Sequence, residues 1–256
     1  MCLVAFRFSP GADGYLVLVA NRDEFHDRPT RVMAWQGGWL AGRDEVAGGT
    51  WLAVARDGRW AALTNVRDPR AGQARASRGE LPLDYLASGR EPRGWAAVVA
   101  ARRARYAPFN LLLGSRDSLW YVGSGAAPRP VAAGVHALSN GSLDEPWPKS
   151  RRAAVALRGS LDSGGGSDPE RLLGLMHDQA RAPDEELPDT GVGLEMERFL
   201  SPPFIVSERY GTRSTTLLVL GQAALAVERS FDLEGGMTGQ LEYRFNLDGF
   251  PVRVSA

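Results

Sequence analysis

The amino-terminal segment, residues 2–25, has the sequence CLVAFRFSPGADGYLVLVANRDEF. Two apolar, strand-prone runs, residues 3–8 and 15–20, flank a loop that is dense in glycine, proline and aspartate. Such a loop between two strand-prone runs is typical of a β-hairpin. The first secondary structure of the chain is therefore predicted to be an antiparallel strand pair.

The register of this hairpin brings Cys2 next to charged side chains. With the loop centred between residues 12 and 13, antiparallel pairing places Cys2 opposite Arg22 or Asp23. A guanidinium group beside a thiol favours the thiolate. The polar run at residues 21–24 is hard to place in a strand interior, which makes it a candidate functional segment. A structural alternative stays open, in which the run is a solvated strand end and Cys2 is only a small residue near a terminus.

The remaining chain alternates between strands and helices. Asp57-Gly58 between residues 51–55 and 60–65 is a strong signal for a second hairpin. A helix is predicted after Ser77, which has capping-box spacing to Glu80. The other predicted elements are helices at 94–105, 148–161 and 169–180, with Ser167 or Asp168 as the cap of the last, a flexible connection at 163–167, and strands at 109–114, 119–122, 214–220, 224–231 and 241–247. Segregated hairpins and helix pairs favour an α+β fold over a parallel βαβ fold, and residues 1–256 are predicted to form one domain.

Composition excludes several classes of function. Thirty basic residues balance thirty acidic ones, which argues against a protein that coats nucleic acid or an anionic membrane. No apolar run reaches the roughly 18 residues of a membrane span, and the apolar start is too short for a secretory signal, so the expected location is cytoplasmic. Cys2 is the sole cysteine, which excludes an internal disulfide and a multi-cysteine metal site. Lysine occurs once, at Lys149, a bias that we interpret as that of a GC-rich bacterial genome.

The position of Cys2 suggests a specific chemistry. Bacterial initiator methionine is usually removed before a small residue, and removal of Met1 would leave Cys2 with both a thiol and a free α-amine. An α-amine has a pKa of about 7.7–8.0, so it can act as a base near neutral pH. A nucleophile that is activated by its own terminal amine is a known catalytic arrangement. Catalysis by Cys2 therefore predicts that Met1 is removed.

A series of short motifs runs through the chain. In order they are MC at 1–2, ANRDEF at 20–25, RP at 28–29, GGTWL at 48–52, ALTN at 62–65, RGEL at 78–81, FNL at 109–111, LSN at 138–140, PWPK at 146–149 and YGTR at 210–213. In these motifs the chain resembles the NRDE family, also called the transport and Golgi organisation protein 2 family. The resemblance covers essentially the whole chain. It implies the fold of the N-terminal nucleophile hydrolases, a four-layer αββα sandwich, as in bile-salt hydrolases and penicillin V acylases, which cleave linear amides.

The resemblance also implies roles for individual residues. Cys2 matches the nucleophile, and Arg22 matches the arginine of the second strand. Asn65 and Asn140 are similar to the asparagines that help to form the oxyanion hole, and Arg213 is similar to a later arginine. All five are therefore expected to converge on one pocket.

The acidic residue of the site is less directly assigned. In the similar amidases an aspartate follows the arginine by three residues, whereas Asp23 follows Arg22 directly. Neighbouring residues of a strand point to opposite faces. Either the strand has ended by Asp23, or Asp23 or Glu24 has a different role.

Two functional hypotheses follow from the resemblance, because members of the family have been linked to haem trafficking and to acyl-coenzyme A and lipid metabolism. The first is a hydrolase or acyl transferase for a linear amide or thioester, which needs no cofactor. The second is a non-catalytic carrier of haem or acyl-coenzyme A that uses the same pocket. His26 and His136 lie near family motifs and are candidate haem ligands, although each also fits an ordinary surface or core histidine. The oligomeric state stays open.

Overall fold

Two antiparallel β-sheets pack face to face. A computed structural model describes residues 2–72, 74–164 and 168–248. The strands are β1 (Cys2–Phe8), β2 (Leu16–Phe25), β3 (Thr30–Gln36), β4 (Trp39–Asp44), β5 (Leu52–Ala55), β6 (Trp60–Asn65), β7 (Phe109–Gly114), β8 (Leu119–Gly123), β9 (Arg129–Pro130), β10 (Gly134–Leu138), β11 (Tyr210–Leu220), β12 (Ala223–Phe231) and β13 (Met237–Asn246). The first sheet has the order β10-β1-β2-β11-β12-β13, and the second runs β3 to β9 in sequence order.

Helices cover the outer faces of both sheets. They are α1 (Glu80–Ala87), α2 (Pro92–Arg102), α3 (Pro148–Asp162), α4 (Pro169–Gly174) and α5 (Leu194–Phe199), with short 3₁₀ turns at Arg103–Arg105 and Asp184–Glu186. The apolar faces of α1 and α2 pack on the second sheet, and those of α3 and α4 pack on the first. These layers confirm the predicted α+β fold, a four-layer αββα sandwich.

The central core lies between the two sheets. Alternate residues of β1, including Val4 and Phe6, point into it, as their period of two requires. Phe6 meets Trp60 of the second sheet edge to face, with ring centroids 6.3 Å apart. The intervening residues Leu3 and Ala5 point outward, under α3 and α4. The fold therefore gives each side chain near the start of β1 a defined face.

Both predicted hairpins are confirmed. In the first, Cys2 pairs with Arg22, one of the two predicted partners. In the second, β5 and β6 join through a turn in which Gly58 has a φ of 81°. Glycine adopts this backbone conformation without the steric cost that a side chain would add.

The predicted capping box at the start of α1 is not formed. The helix begins at Glu80, and Ser77 accepts a hydrogen bond from the Gly79 amide instead. The carbonyl of Gly79 accepts from the Thr50 amide, and the carboxylate of Glu80 accepts from the Tyr106 hydroxyl. Residues 77–79 therefore form a wall against the loop before β5 rather than a first helical turn.

Helix α4 is shorter than predicted, since it ends at Gly174 and not at residue 180. The carbonyls of Met176 and Asp178 leave the helical path to accept from Asn21 and from the Phe204 amide. Asp168 caps this helix through the amides of residues 170 and 171. The flexible connection was predicted at residues 163–167, of which 165–167 lie outside the described residues.

Several elements were not predicted individually. Strands β3, β4, β9 and β10 and helix α5 lack a clear local pattern in the sequence. Helix α2 ends at Arg102, and a 3₁₀ turn takes the last three residues of the predicted 94–105 helix. The predicted removal of Met1 also concerns a residue outside the described part of the chain.

Candidate active site

The pairing of Cys2 with Arg22 places both side chains on the same face of the first sheet. This is the face that packs against the second sheet, because Val4 and Ala20 of the same strands lie in the central core. Cys2 is 9% exposed and Arg22 is 4% exposed. Both border a pocket of about 330 Å³, here called the Cys2 pocket. Its lining also includes Asp23, Glu24, Arg28, Asp44, Gly49, Thr50, Trp51, Asn65, Arg78 and Gly79.

Arg22 is held by two contacts. Its guanidinium lies 4.3 Å from the centroid of the Trp51 ring, a cation–π distance. Its Nη2 lies 4.0 Å from a carboxylate oxygen of Glu24. Its Nη1 is buried and has no hydrogen-bond partner in the part of the chain that the structure describes. Arg22, which lines the pocket beside Cys2, therefore retains a buried guanidinium nitrogen without an acceptor.

Burial governs the ionisation of Cys2. Removal from water raises the pKa of the thiol, and the charges of Asp23 and Glu24 act in the same direction. Arg22 opposes them and lowers the pKa. Because the net shift is upward, the resting side chain is a thiol, and a nucleophilic role requires a base that accepts its proton.

Asp23 lies on the opposite face from Arg22. Strand β2 continues to Phe25, so the strand has not ended at Asp23. Asp23 accepts a 2.8 Å hydrogen bond from the Thr212 hydroxyl. Burial raises the pKa of this carboxyl, and the nearby charge of Lys149 opposes that shift. Since Asp23 comes one residue after the partner of Cys2, it borders the start of β1, where the amino group of a processed chain would lie.

The two predicted asparagines are joined to each other. Asn65 ends β6 and lines the Cys2 pocket. Asn140 donates from Nδ2 to the Asn65 carbonyl at 2.9 Å, and its Oδ1 accepts from Ser139 Oγ and Lys149 Nζ, both at 3.3 Å. Ser139 Oγ also lies 3.3 Å from the carbonyl of Cys2. Asn140 itself lines a neighbouring pocket of about 720 Å³ and not the Cys2 pocket.

Arg213 is not brought into the Cys2 pocket. It lies at a β-bulge, where the pairing of β11 with β2 shifts between Thr212 and Ser214. Its Nη1 donates to the carbonyls of Phe25 and His26 at 2.9 and 3.2 Å. The expected convergence thus includes Cys2, Arg22 and Asn65, with Asn140 adjacent, while Arg213 binds the backbone that follows β2.

The two candidate haem ligands have protein partners. His26 Nε2 lies 3.1 Å from the carbonyl of Ser207. His136 Nδ1 lies 2.8 Å from Asp144 and its Nε2 lies 3.1 Å from the carbonyl of Ala132. Neither histidine lines the Cys2 pocket.

Lys149 is a site residue that the sequence analysis did not assign. It is 2% exposed, and burial lowers its pKa to about 8, against the opposing charge of Asp23. The sequence feature that could have identified it is that Lys149 is the sole lysine, since the other 29 of the 30 Lys or Arg residues are arginines. Thr212 and Arg78 were also missed as individual residues, although both lie in motifs that the sequence analysis quoted.

The described part of the chain contains neither a metal-binding cluster of side chains nor a helix able to span a membrane. Within residues 2–72, 74–164 and 168–248, no group of three or more His, Cys, Asp or Glu side chains is arranged to hold a metal ion. Among the described helices, none has the length and apolar character that crossing a membrane requires.

Comparisons with known proteins identify the family of this chain. The model of the family described as Transport and Golgi organisation 2 matches residues 1–231. The Transport and Golgi organization protein 2 homolog of Bos taurus is 30% identical over 246 residues, and that of Homo sapiens is 29% identical over 245. Each alignment covers 86% of this chain and 88% of the relative.

A solved structure supports the fold. The C2A mutant of the conjugated bile acid hydrolase from Clostridium perfringens superposes with a TM-score of 0.52 at 11% identity, over 95% of this chain and 97% of that chain. At this identity the likeness concerns architecture alone. It agrees with the predicted N-terminal nucleophile hydrolase fold.

Proposed function

The chain belongs to the Transport and Golgi organisation 2 family, and from its candidate site we propose that it is an N-terminal-cysteine hydrolase or acyl transferase for a linear amide or thioester. The observation that carries this proposal is the cross-strand pair of Cys2 and Arg22 at the wall of a pocket. The bile acid hydrolase with the similar fold, by its description, acts on a conjugated acid and was crystallised with the residue at position 2 mutated.

The first chemical step is acylation of Cys2. After removal of Met1, the α-amine of Cys2 accepts the thiol proton, and Sγ attacks the carbonyl carbon to form a C–S bond. The carbonyl oxygen becomes an oxyanion. When the tetrahedral intermediate collapses, the C–N or C–S bond of the substrate breaks, and the α-ammonium returns the proton to the leaving amine or thiol. The product that remains on the protein is a thioester at Cys2.

The second step reverses this sequence. A water molecule, or an acceptor amine or thiol in a transferase, gives its proton to the α-amine and attacks the thioester carbonyl. The bond between the acyl carbon and Sγ then breaks, and the thiol of Cys2 recovers its proton. Hydrolysis and acyl transfer therefore differ only in the nucleophile that enters the pocket.

The surrounding residues fit defined parts of this reaction. Arg22 favours the thiolate through its charge. Asn65 borders the pocket and is the nearest of the predicted oxyanion-hole residues, a role worth about 2.7–4 kcal/mol per donor in comparable enzymes. The side-chain amide of Asn140 donates a hydrogen bond to the backbone carbonyl of Asn65 and so holds Asn65 in position. Asp23 borders the start of β1 and is suited to orient the α-amine.

The test begins with intact mass spectrometry of the purified protein, which reports removal of Met1 and any acyl group on Cys2. Turnover is then measured with a panel of acyl 4-nitroanilides and acyl thioesters, using protein whose first residue is Cys2. We expect turnover by this form and none by Cys2→Ala. The matched control is the same chain with Met1 retained, which keeps every side chain but converts the α-amine of Cys2 into an amide.

Two outcomes would contradict this proposal, the first its mechanism and the second catalysis itself. If the Met1-bearing chain turns over as fast as the processed chain, the α-amine is not the base. If no form turns over but haem or an acyl-coenzyme A binds equally to the natural chain and to Cys2→Ala, the pocket serves a carrier.

A further inference from the structure

The arginines of the Cys2 pocket differ in how many of their guanidinium N–H groups form hydrogen bonds or ion pairs. Arg28 is paired with Asp44, through Nε and Nη2 at 2.9 Å each. Among the described residues, Arg22 has a buried Nη1 without a partner and one ion-pair contact, to Glu24 at 4.0 Å. A buried guanidinium N–H group that lacks an acceptor costs free energy. The structure therefore leaves a donor that an incoming acceptor could satisfy.

Arg78 is a second cation on the wall of the same pocket. Its Nη1 donates to the carbonyl of Pro108 at 2.8 Å. Within the described ranges it forms no ion pair at 4.0 Å or less. Burial lowers its pKa, and the opposing charges are those of Cys2 and Glu24, which also belong to the pocket.

The carboxylates of the pocket do not compensate these two groups well. Asp44 is occupied by Arg28 and by the amides of Val46 and Ala47. Glu24 lies between Arg22 and Arg28, at 4.0 and 3.7 Å, which are distances longer than a hydrogen bond. Asp23 is bonded to Thr212 on the other face of the sheet. Arg22 and Arg78 on the pocket wall therefore keep hydrogen-bonding capacity that an added anion could use.

We propose that the Cys2 pocket binds a substrate whose acyl group carries a carboxylate, held between Nη1 of Arg22 and the guanidinium of Arg78. The acyl group is the part concerned, because it stays attached to Sγ through the reaction and the pocket lies beside Sγ. A volume of about 330 Å³ accommodates a short dicarboxylic acyl group. Contact with the Trp51 ring holds Arg22 in place for this role. The assignment to an acyl group rests on the proposed function, whereas the anion site itself does not.

The kinetic test compares two substrates of equal size. Glutaryl 4-nitroanilide carries a carboxylate, and 4-carbamoylbutanoyl 4-nitroanilide carries a neutral carboxamide at the same position. With processed protein we expect kcat/KM to be higher for the carboxylate by about tenfold or more, the effect of one charge-assisted hydrogen bond. Arg78→Gln is expected to reduce that ratio several-fold without abolishing it, because Arg22 remains, and Arg78→Lys to retain more of it. Arg90→Gln, at an exposed position, is the matched control and keeps the wild-type ratio.

A binding measurement separates this inference from the catalytic proposal. Calorimetric titration compares glutarate with glutaramide on the natural protein and on the Arg78 variants. If the anilides are cleaved at equal rates and glutarate does not bind, the anion site is wrong and the hydrolase stands. If neither anilide is cleaved, binding of glutarate that weakens about tenfold in Arg78→Gln supports the anion site, and absence of binding overturns it.

Discussion

At the scale of single residues, the pKa of the buried Lys149 ammonium can be measured directly. Its ammonium faces the charges of Asp23, Cys2 and Glu197, which raise its pKa, and Arg67, which lowers it together with burial. Because it is the sole lysine, protein labelled at lysine Cε gives one resonance to follow. We expect a titration midpoint of about 8, as burial disfavours the charged form.

Replacing Asp23 tests the coupling directly. Asp23→Asn removes the carboxylate that raises the pKa of Lys149, so the midpoint should fall further. Asp162→Asn lies on the same helix about 20 Å away and should leave the midpoint unchanged. A midpoint above 10 in the natural protein would show that the ammonium is solvated and not buried beside the active site.

Thr212 supports Asp23 from the neighbouring strand. Its hydroxyl donates to Asp23 Oδ1 at 2.8 Å and accepts from the Ile205 amide at 2.9 Å. Thr212→Val keeps the shape but leaves both groups without this partner, and we expect a loss of about 1–3 kcal/mol in the free energy of unfolding. Thr212→Ser retains the hydroxyl and should lose about 1 kcal/mol or less, for one methyl group. Urea unfolding of the three proteins measures the difference, and equal losses would contradict it.

The predictability of the site differs from residue to residue. The Cys2–Arg22 pair follows from hairpin register, which depends only on residues close in sequence. Lys149 and Thr212 reach Asp23 from α3 and β11, more than a hundred residues away, and local patterns contain no information on such contacts. Arg213 was expected in the pocket because of its motif, but the bulge beside it changes the register that a regular strand would have.

At the scale of elements, the wall of the Cys2 pocket depends on contact between two glycines. A Cβ on Gly49 would lie 2.3 Å from the carbonyl carbon of Gly79, closer than real Cβ contacts allow. Gly49→Ala is therefore expected to force residues 77–79 away, at a cost of about 1–3 kcal/mol. Gly94→Ala, in α2 with no atom within 4 Å of the new Cβ, should instead stabilise the protein by up to about 1 kcal/mol. Thermal unfolding of both variants measures the difference. Equal shifts in Tm would contradict the close contact between Gly49 and Gly79.

The turn after β10 contains a pH-sensitive pair. Asp144 has a φ of 64°, accepts from the Ala137 amide and lies 2.8 Å from His136. This contact raises the pKa of His136 and lowers that of Asp144. The stability from His136 is present at low pH and is lost as pH rises through its raised pKa, whereas that from Asp144 is lost as pH falls through its lowered pKa. The pair should therefore contribute most between about pH 4 and 6.5.

Urea unfolding at several pH values measures this contribution. Asp144→Asn keeps the acceptor for Ala137 and tolerates the positive φ, but lacks the charge. The loss in free energy of unfolding relative to the natural protein should be largest between about pH 4 and 6.5 and smaller at lower and higher pH. His136→Asn should show the same profile, and the double variant should add little to either. A deficit that does not vary with pH would contradict the charged pair.

The elements divide into those that local sequence determines and those that tertiary contacts determine. Hairpins β1–β2 and β5–β6 carry their own turn signals, so both strand pairs could be predicted, and the register of β1–β2 to within one residue. Strand β10 pairs with β1 across more than a hundred residues, and nothing near residues 134–138 indicates that pairing. Helix α4 stops early for the same kind of reason, because backbone groups beyond it bond to distant residues.

At the scale of the whole molecule, the first sheet separates two parts of the candidate active site. Cys2 and Arg22 face the second sheet, whereas Asp23 lies on the face covered by α3, the helix that carries Lys149. The site is complete only when both sheets and the helix are in place. We therefore expect the sandwich to unfold as one cooperative unit, since the sheets share a single central core.

The interface between the sheets tests this expectation. Phe6 is fully buried, packs against Trp60 of the second sheet and stacks on His136 of β10. Phe6→Leu leaves a small void, for which we expect a loss of about 1–2 kcal/mol. Far-ultraviolet circular dichroism, which follows both sheets, and tryptophan fluorescence should shift together to the same new midpoint. Leu241→Ala on the outer strand β13, at 36% exposure, should change stability by about 0.5 kcal/mol or less. Two separated transitions, with only one of them moved by Phe6→Leu, would mean that the sheets unfold independently and that the site can be lost while half of the fold remains.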